Sequence, residues 1–353
     1  MDPTTIPLHA EPSAAVPTMR AAARDHYGPA GNVRVRTVPR PDIADDEVLV
    51  RVHAAGVDRG VWHVMAGLPY PIRLAGFGLR MPKDPVLGID VAGVVVAIGA
   101  SVTRFQPGDA VFGMGMGSFA EFVAVPEAKL AAKPANLSFV QAAAMPVSGV
   151  TALQAVRDKG GVQAGQKVLI IGASGGVGTY AVQIAKALGA EVTGVCSPAK
   201  AVIVRSTGAD RVIDYTREDF AADGPIHDVI IDIGGNSPLS RLRRALTPTG
   251  TLVITGGETD GRLLGGNDRQ MRAVLLSPFV RQTLRTFVAS ENHQDLQVLA
   301  ELVEAGKVAP VIDRTYPLAD AAAAIQHVAD GRARGKVVLD IRPADHTTGG
   351  GAR

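Results

Sequence analysis

Four glycines lie within seven residues at 172–178, directly after the apolar run at 168–171. Where a buried strand ends in such a loop and continues as a helix, free backbone N–H groups and the helix dipole favour a bound anion. Gly175 and Gly176 would let a diphosphate reach the backbone, and Gly178 would let the helix pack against the strand. The pattern therefore predicts a dinucleotide site formed by Ala173, Ser174, Gly175, Gly176, Val177 and Gly178, with a Gly-rich surface turn as the alternative.

The residues at the end of the next strand indicate which dinucleotide binds. NAD-binding folds usually place an acidic residue there, about 20 positions after the glycines, to hold the ribose hydroxyls. Here Cys196 and Ser197 are followed by Lys200, so a hydroxyl and an ammonium stand where a carboxylate would repel a 2′-phosphate. NADPH is the predicted cofactor. Arg205 and Tyr215 are further candidate contacts, and a surface helix position and strand-end packing are their respective alternatives.

The elements that must position these residues alternate regularly. From residue 168 onward, apolar runs and helical patterns follow one another, which requires a parallel sheet with helices on both faces. Gly234, Gly256 and Gly257 follow two of the apolar runs, on the side of the sheet where cofactors bind. We expect backbone contacts to nicotinamide and ribose there, or else tight turns. Residues 46–125 instead contain short runs rich in Val, Phe and Ala, which predict a β-rich half.

Composition narrows the classes of partner and compartment. The 353 residues are 46% hydrophobic, enough for two domains, and the net charge of +2 comes from interleaved acids and bases. This charge pattern argues against a nucleic-acid partner. No apolar stretch reaches the roughly 18 residues that span a bilayer, so no membrane partner is expected. Residues 1–18 lack a signal-peptide pattern and Cys196 is the single cysteine, which together favour a cytoplasmic protein.

The order of several motifs resembles the medium-chain dehydrogenase/reductase superfamily over residues 19–342. The motifs are HAAGVDRG at 53–60, LGIDVAGVVVAIG at 87–99, FQPGDAVFG at 105–113, SFAEFVAVP at 118–126, AAAMPVSGVTAL at 142–153, IGASGGVG at 171–178, GADRVIDY at 208–215 and GKVVLDI at 335–341. The resemblance implies an α/β fold in which a doubly wound parallel-sheet Rossmann cofactor domain joins a β-rich GroES-like substrate domain.

That organisation gives predicted boundaries along the whole chain. We expect a disordered tail at 1–18, the substrate domain at 19–142 and the cofactor domain at 143–310. Residues 311–342 would then return to the substrate domain, and 343–353 would form a loose tail. In this superfamily, parallel-sheet edges commonly pair across a two-fold axis, so the resemblance also implies a homodimer, with TLVITGG at 251–257 as a candidate edge strand.

The resemblance also bears on metal chemistry. Zinc-dependent alcohol dehydrogenases of this superfamily have a cysteine at the position of Asp58 and a His-Glu pair at Ile89-Asp90, followed by a four-cysteine lobe between about 105 and 135. None of these is present, and Ile89 offers no atom that coordinates zinc. No metal is predicted. The chain is more similar to the zinc-independent quinone-oxidoreductase branch, whose members pass a hydride from NADPH to a quinone or an enone.

Candidate catalytic residues follow from the same branch. Asp58 and Arg59 would lie near the nicotinamide, although the branch often has asparagine at the position of Asp58, and Asp58 is equally placed to cap the next helix. His63 and Tyr70 are the nearest candidate proton donors, with a solvated histidine and a packing tyrosine as alternatives. Thr151 would set a hydroxyl against the nicotinamide, or would only begin a helix.

Two segments contain more apolar residues than their connecting role requires. Residues 64–86 form one, and 269–287 the other, where the apolar spacing fits one face of a helix. We expect them to wall a cleft for a small apolar carbonyl or quinone substrate, with ordinary packing or a subunit contact as the alternatives. Two other functions remain open at this stage: a zinc-free carbonyl or alcohol dehydrogenase of specialised metabolism, and a catalytically silent NADPH-binding sensor.

Overall fold

The computed structural model describes residues 16–234, 236–256, 265 and 267–341. The predicted tails therefore lie largely outside the described residues. Thr18, assigned above to the first tail, already belongs to a strand, because it pairs with Pro39 and because the N–H of Arg40 donates to the carbonyl of Pro17 at 2.8 Å.

The N-terminal part of the chain is rich in strands. In chain order its elements are β1 (Thr18–Ala23), β2 (Arg34–Pro39), β3 (Glu47–Val57), α1 (Arg59–Ala66), β4 (Asp90–Ile98), β5 (Ala110–Met114), β6 (Phe122–Pro126), β7 (Leu130–Ala132), α2 (Phe139–Ala143) and α3 (Pro146–Leu153). β1 and β2 form a two-stranded sheet, and β3 pairs antiparallel with both β4 and β6. Ser138 begins α2 with a reciprocal capping box to Gln141.

The middle of the chain alternates strands and helices. Its elements are β8 (Lys167–Ile171), α4 (Gly176–Ala187), β9 (Glu191–Cys196), α5 (Ala201–Ser206), β10 (Arg211–Asp214), β11 (His227–Asp232), α6 (Leu239–Ala245), β12 (Leu246–Ile254), α7 (Asn267–Leu276) and β13 (Thr283–Thr286). The strands form one parallel sheet in the order β10-β9-β8-β11-β12-β13. This order reverses between β8 and β11, as in a doubly wound dinucleotide-binding sheet, and confirms the predicted fold class.

The sheet order corrects one prediction. TLVITGG was expected to be an edge strand, but its strand residues belong to β12, which pairs with β11 on one side and β13 on the other. Within the described residues, the edges of this sheet are β10 and β13. Strand position in a sheet depends on pairing between distant segments, and the local apolar pattern does not contain that information.

The last elements return to the first sheet. They are α8 (His293–Glu304), β14 (Ile312–Pro317), α9 (Ala321–Ala329) and β15 (Lys336–Asp340). β15 pairs antiparallel with β3 and parallel with β14, which completes a seven-stranded sheet. A buried apolar cluster runs from Phe112 of that sheet through Met145 to Ile170 of the parallel sheet, so the two sheets share a core. The exact domain boundaries remain predictions.

Candidate cofactor and active site

The glycine loop joins β8 to α4 and is tied to β9. Gly172 has φ +84°, a conformation that favours glycine. Its N–H and that of Ala173 both donate to the carbonyl of Val195 at 3.1 Å, and the methyl of Ala173 is fully buried. A side chain on Gly178 would overlap the carbonyl oxygen of Gly172, so the packing role predicted for this glycine has a steric basis. Val177 lies on the first turn of α4.

Gly175 leaves the helix N-terminus open. It is the N-cap of α4 with φ −83°, and the nearest atom to a Cβ placed there would be the Gly172 oxygen at 3.6 Å. The helix that follows is twelve residues long and has no acidic residue in its first turn. Unshielded N–H groups at such an end suit a diphosphate. The residues present therefore fit the phosphate part of a dinucleotide.

Gly176 packs closely against the substrate domain, a contact that the sequence did not suggest. A Cβ at this position would lie 3.0 Å from both Lys336 Cδ and Ser148 Oγ, which is closer than nearly all real contacts of a Cβ atom. The missing side chain therefore makes room for β15 and α3. A Cβ would have room at Gly175, whereas Gly176 lets the loop pack against the substrate-domain strand.

A buried ion pair lies beside this packing point. Lys336 Nζ donates to Asp90 Oδ2 at 2.9 Å and to Ser148 Oγ at 3.2 Å, and the two charged side chains are 1% and 0% exposed. The other carboxylate oxygen of Asp90 accepts from the N–H of Val147 at 2.7 Å. The pair therefore joins β15 and β4 to the first turn of α3 at the junction of the two sheets.

The carboxyl of Asp90 is held in a strongly perturbed environment. Burial raises its pKa to about 6, and although Lys336 opposes this shift, the nearby charge of Asp58 adds to it. Asp58 caps α1, where its Oδ1 accepts from the N–H of Val61 at 3.3 Å. The capping role is thus present in the structure. Its Oδ2 is buried and has no hydrogen-bond partner among the residues that the structure describes.

The segment before β15 contacts the cofactor side of the parallel sheet. The N–H of Gly335 donates to the carbonyl of Ser174 at 2.9 Å, and Gly335 bridges to Gly175. Lys200 Nζ donates to the carbonyls of Gly331 and Ala333 at 2.7 and 2.8 Å. Residues 331–335 therefore contact both the glycine loop and Lys200, two parts of the predicted cofactor site.

The residues predicted to select NADPH lie at the end of β9 and β10. The thiol of Cys196 is buried, which raises its pKa, so this side chain packs in the core. Ser197 begins the short turn that contains Lys200. An ammonium carries three N–H donors, and the two carbonyls accept from two of those of Lys200. Tyr215 is 58% exposed just after β10. Among the described residues, these hydrogen bonds use two of the three donors of Lys200.

The predicted nicotinamide end is only partly described. The N–H of Gly234 donates to the carbonyl of Ile171 at 3.1 Å, which places Gly234 beside the glycine loop. Gly256 follows β12 at the same edge of the sheet, and Gly257 lies outside the described residues. Thr151 Oγ donates to the carbonyl of Val147 at 2.7 Å, so its hydroxyl proton is held by its own helix.

The other candidate catalytic residues have separate contacts. Arg59 donates to the carbonyl of Ala329 at the end of α9 at 2.7 Å and stacks on Trp62. His63 Nδ1 lies 2.8 Å from the carbonyl of Leu68, so a neutral His63 that donates there has no proton on Nε2. Tyr70 is 39% exposed.

Both apolar segments carry exposed apolar side chains, and Gly265, four residues before the second segment, lies against the first. Gly265 faces Pro69, whose Cγ would lie 2.9 Å from a Cβ on Gly265. The exposed apolar side chains on the two segments are Leu74, Leu79, Met81, Met271, Val274, Leu275 and Phe279. The walled cleft remains a prediction.

Three polar residues at the site were not assigned a role from the sequence. These are Lys336, Ser148 and Arg269. The sequence contains a signal for Lys336, because a lysine beside the apolar run at 337–339 requires a partner if it is buried.

Within the part of the chain that the structure describes, no group of three His, Cys, Asp or Glu side chains is arranged to hold a metal ion. No helix in that part is long and apolar enough to cross a membrane.

Comparison with known proteins agrees with this architecture. Residues 44–135 match the family described as alcohol dehydrogenase GroES-like domain, and residues 207–339 match the family described as zinc-binding dehydrogenase. The mouse mitochondrial NAD(P)H oxidoreductase RTN4IP1 is 36% identical, with 84% of this chain and 82% of that protein covered. A tomato 2-methylene-furan-3-one reductase is 32% identical, with 92% and 80% covered. The solved quinone oxidoreductase of Coxiella burnetii superimposes with a TM-score of 0.79 at 28% identity, covering 92% of this chain and all of that one.

Proposed function

This chain belongs to the medium-chain dehydrogenase/reductase superfamily, and from that membership we propose that it reduces a quinone or an α,β-unsaturated carbonyl compound with NADPH and without a metal. The observation that carries the proposal is the open N-terminus of α4 at Gly175, placed where the substrate-domain strand meets the glycine loop. The quinone and enone substrates named for relatives support the substrate class.

The chemistry fits a site that has no Lewis acid. When bound, NADPH supplies a hydride. Addition of that hydride to an enone or quinone leaves a negative charge that is delocalised onto the carbonyl oxygen. Hydrogen-bond donors are sufficient to stabilise such a charge, whereas an alkoxide formed from a saturated ketone requires a metal or a positioned acid. A side chain at position 89 cannot supply a metal ligand, because it is isoleucine.

Residues of the chain have separate roles in the proposal. The N–H groups at the N-terminus of α4 hold the diphosphate, and Ser197 and Lys200 hold the 2′-phosphate. Because His63 and Arg59 are engaged by backbone carbonyls, we assign proton delivery to Tyr70, whose phenol is in contact with solvent. The substrate is small and apolar and lies between residues 64–86 and 269–287. We retain a homodimer and a cytoplasmic location as predictions, although the mouse relative is described as mitochondrial.

A substrate panel tests the proposal. NADPH consumption is measured with a quinone, an enone and the saturated ketone of the same carbon skeleton. We expect turnover with the first two substrates and none with the third. Turnover of the saturated ketone would support a carbonyl dehydrogenase, and tight NADPH binding without any turnover would support a sensor. Tyr70→Phe should slow turnover of the enone while leaving NADPH affinity unchanged.

A further inference from the structure

A buried arginine holds together the strand ends on the far side of the glycine loop. Arg269, on the first turn of α7, is 9% exposed, and its Nη1 lies 2.5 Å from Oδ2 of the fully buried Asp232. The same Nη1 donates to the carbonyl of Ser237 at 2.8 Å, and Nη2 donates to the carbonyl of Gly256 at 3.1 Å. One guanidinium therefore holds Asp232 at the end of β11 together with the carbonyls of Ser237 and Gly256, which follow β11 and β12.

The end of β11 is part of the candidate cofactor site. The N–H groups of Ile233 and Gly234 both donate to the carbonyl of Ile171, the last residue before the glycine loop. In a doubly wound sheet a dinucleotide crosses the point where the strand order reverses, so its nicotinamide half lies over the strands of the second half of the sheet. Here those strands are β11 and β12, and Arg269 contacts the described residues at the ends of both.

Both the positive charge and the planar shape of the Arg269 guanidinium suit it to this position. Asp232 is a buried carboxylate at the edge where the diphosphate is proposed to bind, and an uncompensated carboxylate there would repel the diphosphate. The ion pair cancels that charge. A planar guanidinium can also donate to three acceptors at fixed angles, which a lysine ammonium on a flexible stem does less well.

We propose that Arg269 is a positioning residue for the nicotinamide half of the cofactor, acting through Asp232, Ser237 and Gly256 at the ends of β11 and β12. This inference rests on the proposed function, because it assumes that a nicotinamide dinucleotide binds across the sheet. It predicts that loss of Arg269 weakens binding of the whole dinucleotide while sparing its adenosine half, since the adenosine half binds beside β9 and β10.

The test compares two ligands on the full-length chain. NADPH and 2′,5′-ADP, which has the adenosine half but no nicotinamide, are titrated against wild type and Arg269→Gln by calorimetry. We expect Arg269→Gln to weaken NADPH binding about tenfold and to change 2′,5′-ADP binding by less than about twofold. Arg244→Gln is the matched control, because Arg244 lies on α6, is 59% exposed and pairs with Asp219, and it should change neither affinity.

A second variant keeps the test decisive if Arg269→Gln does not fold. Arg269→Lys retains the charge opposite Asp232 and loses the fork that reaches Gly256, so it should fold and still weaken NADPH selectively. Equal losses for both ligands, or no loss for either, would overturn the inference. If the wild-type protein shows no measurable affinity for either 2′,5′-ADP or NADPH, the proposed function itself fails. That result needs no variant, so it is distinguishable from failure of the inference about Arg269.

Discussion

Removing the charge of Lys336 should strongly destabilise the protein. Lys336→Met keeps most of the aliphatic stem that packs under Gly176 and leaves Asp90 as a buried carboxylate without its counter-charge. Removing one partner of a buried pair typically costs about 3–5 kcal/mol, because the remaining charge is desolvated and unpaired. We expect a loss in this range in the free energy of unfolding at pH 8.

The loss should depend on pH with a definite sign. Burial already raises the pKa of Asp90 to about 6. Without Lys336, whose positive charge lowers this pKa, the pKa must rise further, because the negative charge of Asp58 remains nearby. A carboxyl whose pKa is higher in the folded than in the unfolded state destabilises the fold fully above its folded pKa, and this effect fades as pH falls towards its unfolded pKa. The deficit of Lys336→Met relative to wild type should therefore shrink between pH 8 and pH 5.

Urea unfolding followed by the fluorescence of Trp62, the single tryptophan, measures both effects. The control is Lys129→Met, since Lys129 is 38% exposed and pairs with Glu291, and such a surface pair contributes at most about 1 kcal/mol. Adding Asp90→Asn to Lys336→Met should recover about 2 kcal/mol, because the unpaired charge is removed. A loss no larger than the control, or one that is equal at both pH values, would refute the reasoning.

Three further predictions concern single side chains. Gly178→Ala should cost about 1–3 kcal/mol in unfolding free energy, because its methyl would overlap the Gly172 carbonyl; a variant as stable as wild type would contradict this. Lys200→Met should weaken NADPH binding about tenfold in a fluorescence titration and leave NADH binding unchanged, whereas equal losses would argue against a 2′-phosphate contact. Burial lowers the pKa of His227 to about 4, so the folded protein should lose stability as pH falls from 6.5 to 4, because the histidine gains a proton more readily in the unfolded chain. His227→Gln should remove up to about 3 kcal/mol of that loss, and an unchanged pH profile would exclude the effect.

The glycine loop and the two kinds of sheet were predictable because their signals are local. Gly172 needs a left-handed backbone and Gly178 a close helix approach, and both requirements concern residues within one turn of the loop. The alternation of apolar runs with helical patterns likewise reports burial on both faces of a parallel sheet. Strand order beyond this alternation was not predictable, as the internal position of β12 shows.

The polar contacts of the site were harder to predict because they join distant parts of the chain. Lys336 and Asp90 are 246 residues apart, and Arg59 reaches a carbonyl 270 residues away. Nothing in the neighbourhood of Arg59 indicates that partner, so its assignment to the catalytic group rested on resemblance alone. The same reason explains Gly176, whose packing partners come from β15 and α3.

The central claim is that a dinucleotide diphosphate rests on the open N-terminus of α4, and Gly175→Val tests it most directly. Valine is compatible with the extended backbone at this position, and its Cβ would meet no atom closer than 3.6 Å, so the fold should be retained. The isopropyl group would occupy the space proposed for the diphosphate. We predict an unchanged melting temperature and an NADPH affinity lowered at least about a hundredfold. A folded Gly175→Val variant that binds NADPH as tightly as wild type would contradict the account.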